Sequence, residues 1–262
     1  MRLLQIDAFT SHAFGGNPAG VCVLDRDVDD VWMQRVAMEM NLPESAFLRA
    51  RDDGSWSLRW FTPTVEVDLC GHATLASAHA LWQEGLLAES DIARFHTKSG
   101  LLTAWRDDDR IELNFPATPA RETDTPSQLA EALGATPLFV GYNGTDLLVE
   151  VESEAIIESL APNLAIIATL PSRGVIVTAA SARHGVDFVS RFFAPQSGID
   201  EDPATGSAHC TLAPFWAPRL GKTTFHALQL SARRGELQVT LDNDRVRLAG
   251  KAVTVLRGDL VV

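Results

Sequence analysis

Residues 59–79, RWFTPTVEVDLCGHATLASAH, are followed half a chain later by a similar stretch, residues 191–209, RFFAPQSGIDEDPATGSAH. In each, arginine and aromatic residues precede a proline, acidic residues follow, and a run of small residues ends in Ser-Ala-His. Arg191 lies 132 positions after Arg59, and the Ala-Thr pairs that follow them lie 131 apart, so about one deletion aligns the copies. The repeat predicts two similar lobes that face each other across a cleft, each presenting the start of a helix.

The composition is that of a soluble globular protein, with 262 residues, 46% of them hydrophobic and 21% charged. A net charge of −12 argues against nucleic-acid binding, which needs a basic surface. No run of about 18 apolar residues is present, so the sequence predicts no membrane span. The three cysteines are odd in number and lack Cys-x-x-Cys spacing, which favours a reducing, cytoplasmic location.

Strand patterns outnumber helical ones, which indicates an α+β fold. The small side chains of Ala73 to Trp82 predict a closely packed central helix in the first lobe. Ala204 to Ala213 predict its counterpart in the second, ended by Pro214. Glu44 is expected on the turn between an amphipathic helix and a strand.

A proline-rich connection separates the predicted lobes, since Pro116, Pro119 and Pro126 interrupt the pattern there. We therefore expect an N-terminal lobe of residues 1–117 and a C-terminal lobe of residues 118–251.

The two helix starts are candidate anion sites, because the first backbone amides of a helix lack internal partners and face the positive end of its dipole. Gly71 and His72 stand at the first start and Asp202 at the second. A structural interpretation is open for each. His72 could simply pack or cap, and Asp202 followed by Pro203 is typical of an N-cap followed by a helical proline.

Other candidate groups are less specific. Glu44 could be a general acid–base if it is buried, although a turn glutamate is usually solvated. Cys70 could be a nucleophile at a helix start or a small buried residue. His72 and His79 share a helix face, but a third ligand at metal spacing is missing from the pattern, so no metal site is predicted.

These motifs taken together resemble the phenazine-biosynthesis PhzF-like family, which has the diaminopimelate-epimerase-like fold. The resemblance covers about the first 210 residues in order. The matching stretches are Asp7-Ala8-Phe9-Thr10, Gly15-Gly16-Asn17-Pro18-Ala19, Asn41-Leu42-Pro43-Glu44-Ser45-Ala46-Phe47, Arg59-Trp60-Phe61-Thr62-Pro63, Cys70-Gly71-His72-Ala73-Thr74 and Gly198-Ile199-Asp200-Glu201-Asp202-Pro203-Ala204-Thr205-Gly206-Ser207.

The resemblance implies two pseudo-symmetric lobes, each a curled sheet around a central helix, with residues 252–262 returning to the first lobe. It implies a cofactor-free site in which Glu44 moves a proton and His72 and Asp202 assist. A small carboxylate-bearing substrate is expected as the partner, and a homodimer is possible because relatives are often dimers. The expected substrate contacts are Gly16, Asn17, Cys70, Gly71, Gly206 and Ser207.

The sequence also departs from the family pattern. Pro43 and Cys70 stand where the phenazine enzyme is expected to carry a serine and a small non-thiol residue. Cys70 resembles the first thiol of the epimerases of this fold, but the second helix start carries Asp202-Pro203-Ala204 instead of the second thiol. The sequence therefore disfavours a two-cysteine epimerase and predicts a cofactor-independent isomerase.

Two alternatives stay open at this point. One is a non-catalytic small-molecule-binding or regulatory protein of the same fold. The other is a hydrolase or lyase that uses the Cys70 thiol.

Overall fold

A computed structural model describes residues 1–261 of the chain. Strands predominate and helices are few, which confirms the predicted α+β class. In chain order the strands are Arg2–Ala8 (β1), Asn17–Leu24 (β2), Glu44–Ala50 (β3), Trp56–Phe61 (β4), Glu66–Val67 (β5), Ala93–Thr97 (β6), Gly100–Asp107 (β7), Arg110–Pro116 (β8), Arg121–Glu122 (β9), Phe139–Tyr142 (β10), Leu147–Glu150 (β11), Val175–Ala180 (β12), Phe188–Ala194 (β13), Ile199–Asp202 (β14), Thr224–Gln229 (β15), Gly235–Asp242 (β16), Arg245–Gly250 (β17) and Ala252–Asp259 (β18). The helices are Asp30–Met40 (α1), Gly71–Gln83 (α2), Leu129–Leu133 (α3), Glu154–Ser159 (α4), Leu164–Ile167 (α5) and Gly206–Leu220 (α6).

The chain divides into two compact units, one formed by Met1–Asn114 with the chain from Ala249 onward, the other by Phe115–Leu248. In the first unit β1 pairs antiparallel with β2, β2 parallel with β3 and β3 antiparallel with β4. Strand β4 then runs antiparallel to β5 and parallel to β6, and β6 pairs antiparallel with β7. Strand β18 adds to the other side of β1.

The second unit repeats this series of pairings. Strands β10, β11, β12 and β13 pair antiparallel, parallel and antiparallel in turn. Strand β13 runs antiparallel to β14 and parallel to β15, and β15 pairs antiparallel with β16. The long helices also correspond, since α2 lies between β5 and β6 and α6 between β14 and β15. The same topology in both units confirms the pseudo-symmetry predicted from the sequence repeat.

The repeat extends to the side chains of its two arginines. Arg59 makes a bidentate ion pair with Glu66, with Nε–Oε1 at 2.7 Å and Nη2–Oε2 at 2.8 Å. Arg191 pairs with Glu201 in the same way, at 2.6 and 2.9 Å. Each guanidinium also lies over the phenylalanine two residues later, 5.2 Å from the ring centroid in the first unit and 4.9 Å in the second. Each arginine thus ties its strand to the short strand that leads to the central helix.

Helix α2 is the core of the first unit, because nearly all of its residues are buried. It contacts β1, β2, β3, β7 and β18, so the sheet curls around it as predicted. A helix that is buried on all sides needs apolar or small residues all round, and alanines such as Ala73 and Ala76 meet that need. The fold thereby fixes the start of α2 beside the starts of neighbouring strands.

The prediction that the second central helix ends at Pro214 is wrong. Helix α6 continues to Leu220 and contains both Pro214 and Pro218. A helical proline leaves the carbonyl four residues earlier without its usual amide partner. Here the Cys210 carbonyl instead accepts a hydrogen bond from the Thr118 N–H at 3.1 Å. A residue distant in sequence thus replaces the missing helical bond, which local sequence rules do not reveal.

The three cysteines are free and buried, and burial raises the pKa of Cys22 and of Cys210 to about 12. Among residues 1–261, no helix is both long and apolar enough to cross a lipid bilayer.

Candidate active site

The position of Glu44 follows from the pairing of β2 with β3. Glu44 is the first residue of β3, which follows α1 after the left-handed cap residue Asn41. Parallel strands bring their amino ends to the same edge of a sheet, and Ala19 of β2 stands opposite Glu44. The first residue of β2, Asn17, therefore lies at the same edge.

The approach to β2 is shaped by Gly16. Its φ is +58°, and a Cβ atom added there would lie 2.1 Å from the carbonyl oxygen of Ala8. Only glycine tolerates both conditions. The fully buried Asp7 orders the same loop, since its Oδ2 accepts a hydrogen bond from the Phe14 N–H at 2.7 Å. These contacts explain Gly16 structurally, and its predicted substrate contact stays a prediction.

Helix α2 begins at Gly71, two residues earlier than predicted, with Cys70 as its N-cap. The Cys70 backbone is extended, and its side chain makes no capping hydrogen bond. Gly71 and His72 therefore occupy the first turn, where backbone N–H groups lack helical acceptors. The structure thus supplies the helix start that the sequence predicted beside His72.

His72 forms one cluster with three other predicted site residues, Glu44, Asn17 and Cys70. Its Nε2 lies 3.3 Å from Oε2 of Glu44. Its Nδ1 lies 3.1 Å from Nδ2 of Asn17 and 3.5 Å from Sγ of Cys70. The side chains of His72 and Glu44 are only 5% and 12% exposed. Burial lowers the pKa of His72 to about 3, so its ring is neutral at pH 7.

The cluster contains three candidate metal ligands, which the sequence pattern did not show. One donor atom each from Glu44, Cys70 and His72 lies within 4.8 Å of the others. However, Cys70 stands at Nδ1 of the imidazole and Glu44 at Nε2, on different sides of the ring. A metal ion binds a single nitrogen, which would have to face both other ligands. The donor atoms of Cys70 and Glu44 thus approach the ring from different sides, which does not suit a single metal ion.

The corresponding helix start in the second unit corrects two predictions. Helix α6 begins at Gly206 rather than Ala204, and its N-cap is Thr205 rather than Asp202. Asp202 instead ends β14, where its buried Oδ2 accepts a hydrogen bond from the Thr205 hydroxyl at 2.5 Å. By position along the helix, Thr205 is thus the counterpart of Cys70, and the comparison with Asp202-Pro203-Ala204 was out of register.

Gln229, at the end of β15, was not found from the sequence. Its side chain is fully buried, and its Oε1 accepts from the Thr205 N–H at 2.8 Å. Its Nε2 donates to the Asp202 carbonyl at 2.6 Å and to the Thr205 hydroxyl oxygen at 3.0 Å. A polar residue at a strand end carries no local signal of such a role, because the three bonds cross between distant segments.

A cation beside the start of α6 was also missed. Arg173 donates from Nε to Oδ1 of Asp146 at 2.9 Å and from Nη2 to Oδ2 at 2.5 Å. Asp146 is almost completely buried, so it anchors the guanidinium. Nη2 of Arg173 also reaches Oγ of Ser207 at 3.3 Å. The predicted anion contacts Gly206 and Ser207 are therefore accompanied by a fixed positive charge.

The predicted site residues thus fall into two groups. Glu44, His72, Cys70, Gly71, Gly16 and Asn17 belong to the first unit, and Asp202, Gly206 and Ser207 belong to the second. The shared cleft predicted from the repeat stays a prediction.

Comparison with known proteins yields close relatives over nearly the whole chain. A family model described as phenazine biosynthesis-like protein matches residues 6–258. A protein of Halalkalibacterium halodurans named as an uncharacterized isomerase is 52% identical over 258 residues, which cover 98% of this chain and 97% of the relative. One from Pseudomonas aeruginosa, also named as an uncharacterized isomerase, is 49% identical over 254 residues, which cover 97% and 96% of the two chains. The crystal structure of a PhzF-family protein from Enterococcus faecalis matches with a TM-score of 0.95 and 37% identity, covering 100% of this chain and 99% of the other.

Proposed function

The chain belongs to the phenazine biosynthesis-like protein family, and from this membership we propose that it is a cofactor-independent isomerase. It would remove a proton from carbon in a small carboxylate-bearing substrate and return it at another position. The names of the two bacterial relatives support isomerase chemistry in general. The observation that carries the more specific proposal is the contact between the Glu44 carboxylate and the neutral imidazole of His72.

Glu44 is the acid–base group in this proposal. Its side chain is shielded from solvent but stands at the start of a strand, close to the first turn of α2. A carboxylate in such a place can accept a proton from carbon and deliver it to another position. His72, neutral because it is buried, stabilises and orients the carboxylate.

The backbone amides at the start of α2 supply the second requirement. Removing a proton next to a carboxylate builds negative charge, which preorganised N–H groups stabilise. In the first unit we assign this role to the amides of Gly71 and His72, which lie in the first turn of α2. In the second unit we propose that Gly206, Ser207 and the Asp202–Thr205 pair contribute a further anion contact and a proton relay.

The test of this proposal is proton exchange with solvent. A panel of small carboxylic acids is incubated with the protein in deuterated water, and deuterium at carbon is followed by NMR and mass spectrometry. For an acid that exchanges, Glu44→Gln is expected to lower the rate by about 10²–10⁴-fold, the usual contribution of a general acid–base group. Glu39→Gln, on the exposed side of α1, is the matched control and should retain the wild-type rate.

Three results would contradict the assignment. Full exchange by the Glu44→Gln protein would exclude Glu44 as the proton carrier. A tight ligand whose carbon-bound protons never exchange would favour the non-catalytic binding protein instead. If alkylation of the wild-type protein abolished exchange and the Cys70→Ser protein escaped this loss, the chemistry would be assigned to the Cys70 thiol instead.

A further inference from the structure

The two nitrogens of His72 have chemically different neighbours. Nδ1 faces the amide nitrogen of Asn17 at 3.1 Å, and Nε2 faces the Glu44 carboxylate oxygen at 3.3 Å. An amide NH₂ group donates hydrogen bonds, whereas an ionised carboxylate only accepts them. A neutral imidazole carries a single N–H. The Asn17 hydrogen bond is satisfied if Nδ1 holds the lone pair, and the single proton then sits on Nε2, on the side of the ring that faces Glu44.

We propose that Asn17 is a positioning residue that fixes His72 as the Nε2–H tautomer, so that the His72 proton lies on the ring nitrogen that faces the Glu44 carboxylate. The catalytic use of this arrangement rests on the proposed function, but the tautomer itself does not. The imidazole then orients the carboxylate without placing a second charge in the cluster. Asn17, which the sequence predicted as a substrate contact, thereby acts through His72.

The backbone around Asn17 is suited to holding its amide in place. Asn17 is fully buried and is the first residue of β2, paired with Ala8 of β1 and preceded by the left-handed Gly16. Burial makes the choice of hydrogen-bond partner costly to reverse, because a buried polar group that loses its partner destabilises the protein.

The same arrangement bears on Cys70. Its Sγ lies 3.5 Å from Nδ1 of His72, the nitrogen that Asn17 already occupies. A histidine activates a thiol by taking its proton on a free nitrogen lone pair. Because Asn17 donates to that lone pair, His72 is directed toward Glu44 and away from a thiol–imidazole dyad.

His209 provides an internal reference of opposite tautomer. Its Nδ1 lies 2.8 Å from the backbone carbonyl of Thr205, which can only accept, so the His209 proton sits on Nδ1. His209 is also buried, and burial lowers its pKa to about 4. At pH 7 the two histidines are therefore both neutral but protonated on different nitrogens.

The experiment is a long-range ¹H–¹⁵N correlation spectrum of the protein with labelled histidine at pH 7, which distinguishes the two neutral tautomers and the imidazolium. The His72→Gln and His209→Gln variants assign the two signals. We expect the Nε2–H pattern for His72 and the Nδ1–H pattern for His209. Asn17→Asp replaces the donor by an acceptor of the same shape and should move the His72 proton to Nδ1 or protonate both nitrogens, with His209 unchanged.

A second variant covers the case in which Asn17→Asp does not fold. Asn17→Leu keeps the branched shape of the side chain but removes the donor, and should lower the share of the Nε2–H tautomer at His72. An Nδ1–H pattern for wild-type His72, or a pure Nε2–H pattern in both variants, would overturn the proposal. None of these readouts uses a substrate, so they are independent of the Glu44→Gln exchange test.

Discussion

The starts of α2 and α6 occupy the same place in the two copies of the fold but carry different chemistry. Cys70 caps the first helix and Thr205 the second, and each is followed by a glycine. Beside the first start, the neutral His72 imidazole lies next to the Glu44 carboxylate. Beside the second, the Asp202 carboxylate accepts a hydrogen bond from the Thr205 hydroxyl. The duplicated backbone provides two similar helix starts, and the side chains around them differ.

A buried carboxamide organises each of these helix starts. Asn17 holds His72 in the first unit, and Gln229 holds Asp202 and Thr205 in the second. Asn17 acts on a titratable ring, whereas Gln229 bonds a backbone amide, a backbone carbonyl and a hydroxyl. The first start is thus surrounded by titratable side chains, and the second by a hydrogen-bonded loop.

The largest expected difference between the units lies in their equivalent arginines. Arg191→Met should lower the free energy of unfolding by about 3 kcal/mol, because its largely buried guanidinium also donates to two backbone carbonyls besides Glu201. Arg59→Met should cost about 1 kcal/mol, because Lys98 still contacts Glu66 at 2.5 Å. Urea unfolding of both variants measures the two values. Equal losses would show that the two ion pairs are energetically equivalent despite their surroundings.

The next largest difference in unfolding free energy is expected between variants of the two N-cap residues, Thr205 and Cys70. Thr205→Val removes the hydroxyl that donates to Asp202 and accepts from Gln229, so a loss of about 2 kcal/mol in unfolding free energy is expected. Cys70→Ala removes a small buried thiol and should cost about 1 kcal/mol. Thr205→Ser, which keeps the hydroxyl, is the matched control. If the valine and serine variants unfold at the same urea concentration, the hydroxyl bonds contribute nothing measurable.

The smallest expected difference between the units concerns the buried histidines and pH. Burial lowers the pKa of His72 to about 3 and of His209 to about 4, whereas an unfolded histidine titrates near 6.5. Above pH 6.5 both states are neutral and stability is unaffected. Between pH 6.5 and about 4 the unfolded chain binds the protons, so stability falls as pH falls, by up to about 1.4 kcal/mol per pH unit for each histidine.

Urea unfolding at pH 7, 6 and 5 measures this slope. His209→Gln, in the second unit, and His72→Gln, in the first, should each reduce this slope by a similar amount. A slope that neither variant changes would mean that other groups govern the acid sensitivity.

Several features could be predicted from the sequence because they repeat or have a strong local signature. The internal repeat predicted two units with the same topology, and small-residue runs predicted the two central helices. The predicted neighbours Glu44, Cys70 and His72 lie in one cluster. Elsewhere the local rules were insufficient. Helix α6 does not end at Pro214, because Thr118 donates a hydrogen bond to the Cys210 carbonyl, which the proline leaves without its helical partner.

The sequence by itself determined the α+β class, the duplication and the residue types available at each helix start, because hydrophobic periodicity and small-residue patterns are local properties. Only the tertiary structure decided which groups meet. The parallel pairing of β2 with β3 brings Asn17 and Glu44 to one edge, where His72 contacts both. The parallel pairing of β15 with β13 brings Gln229, at the end of β15, to Thr205. Such contacts depend on strand pairing between distant segments, which no short window of sequence contains.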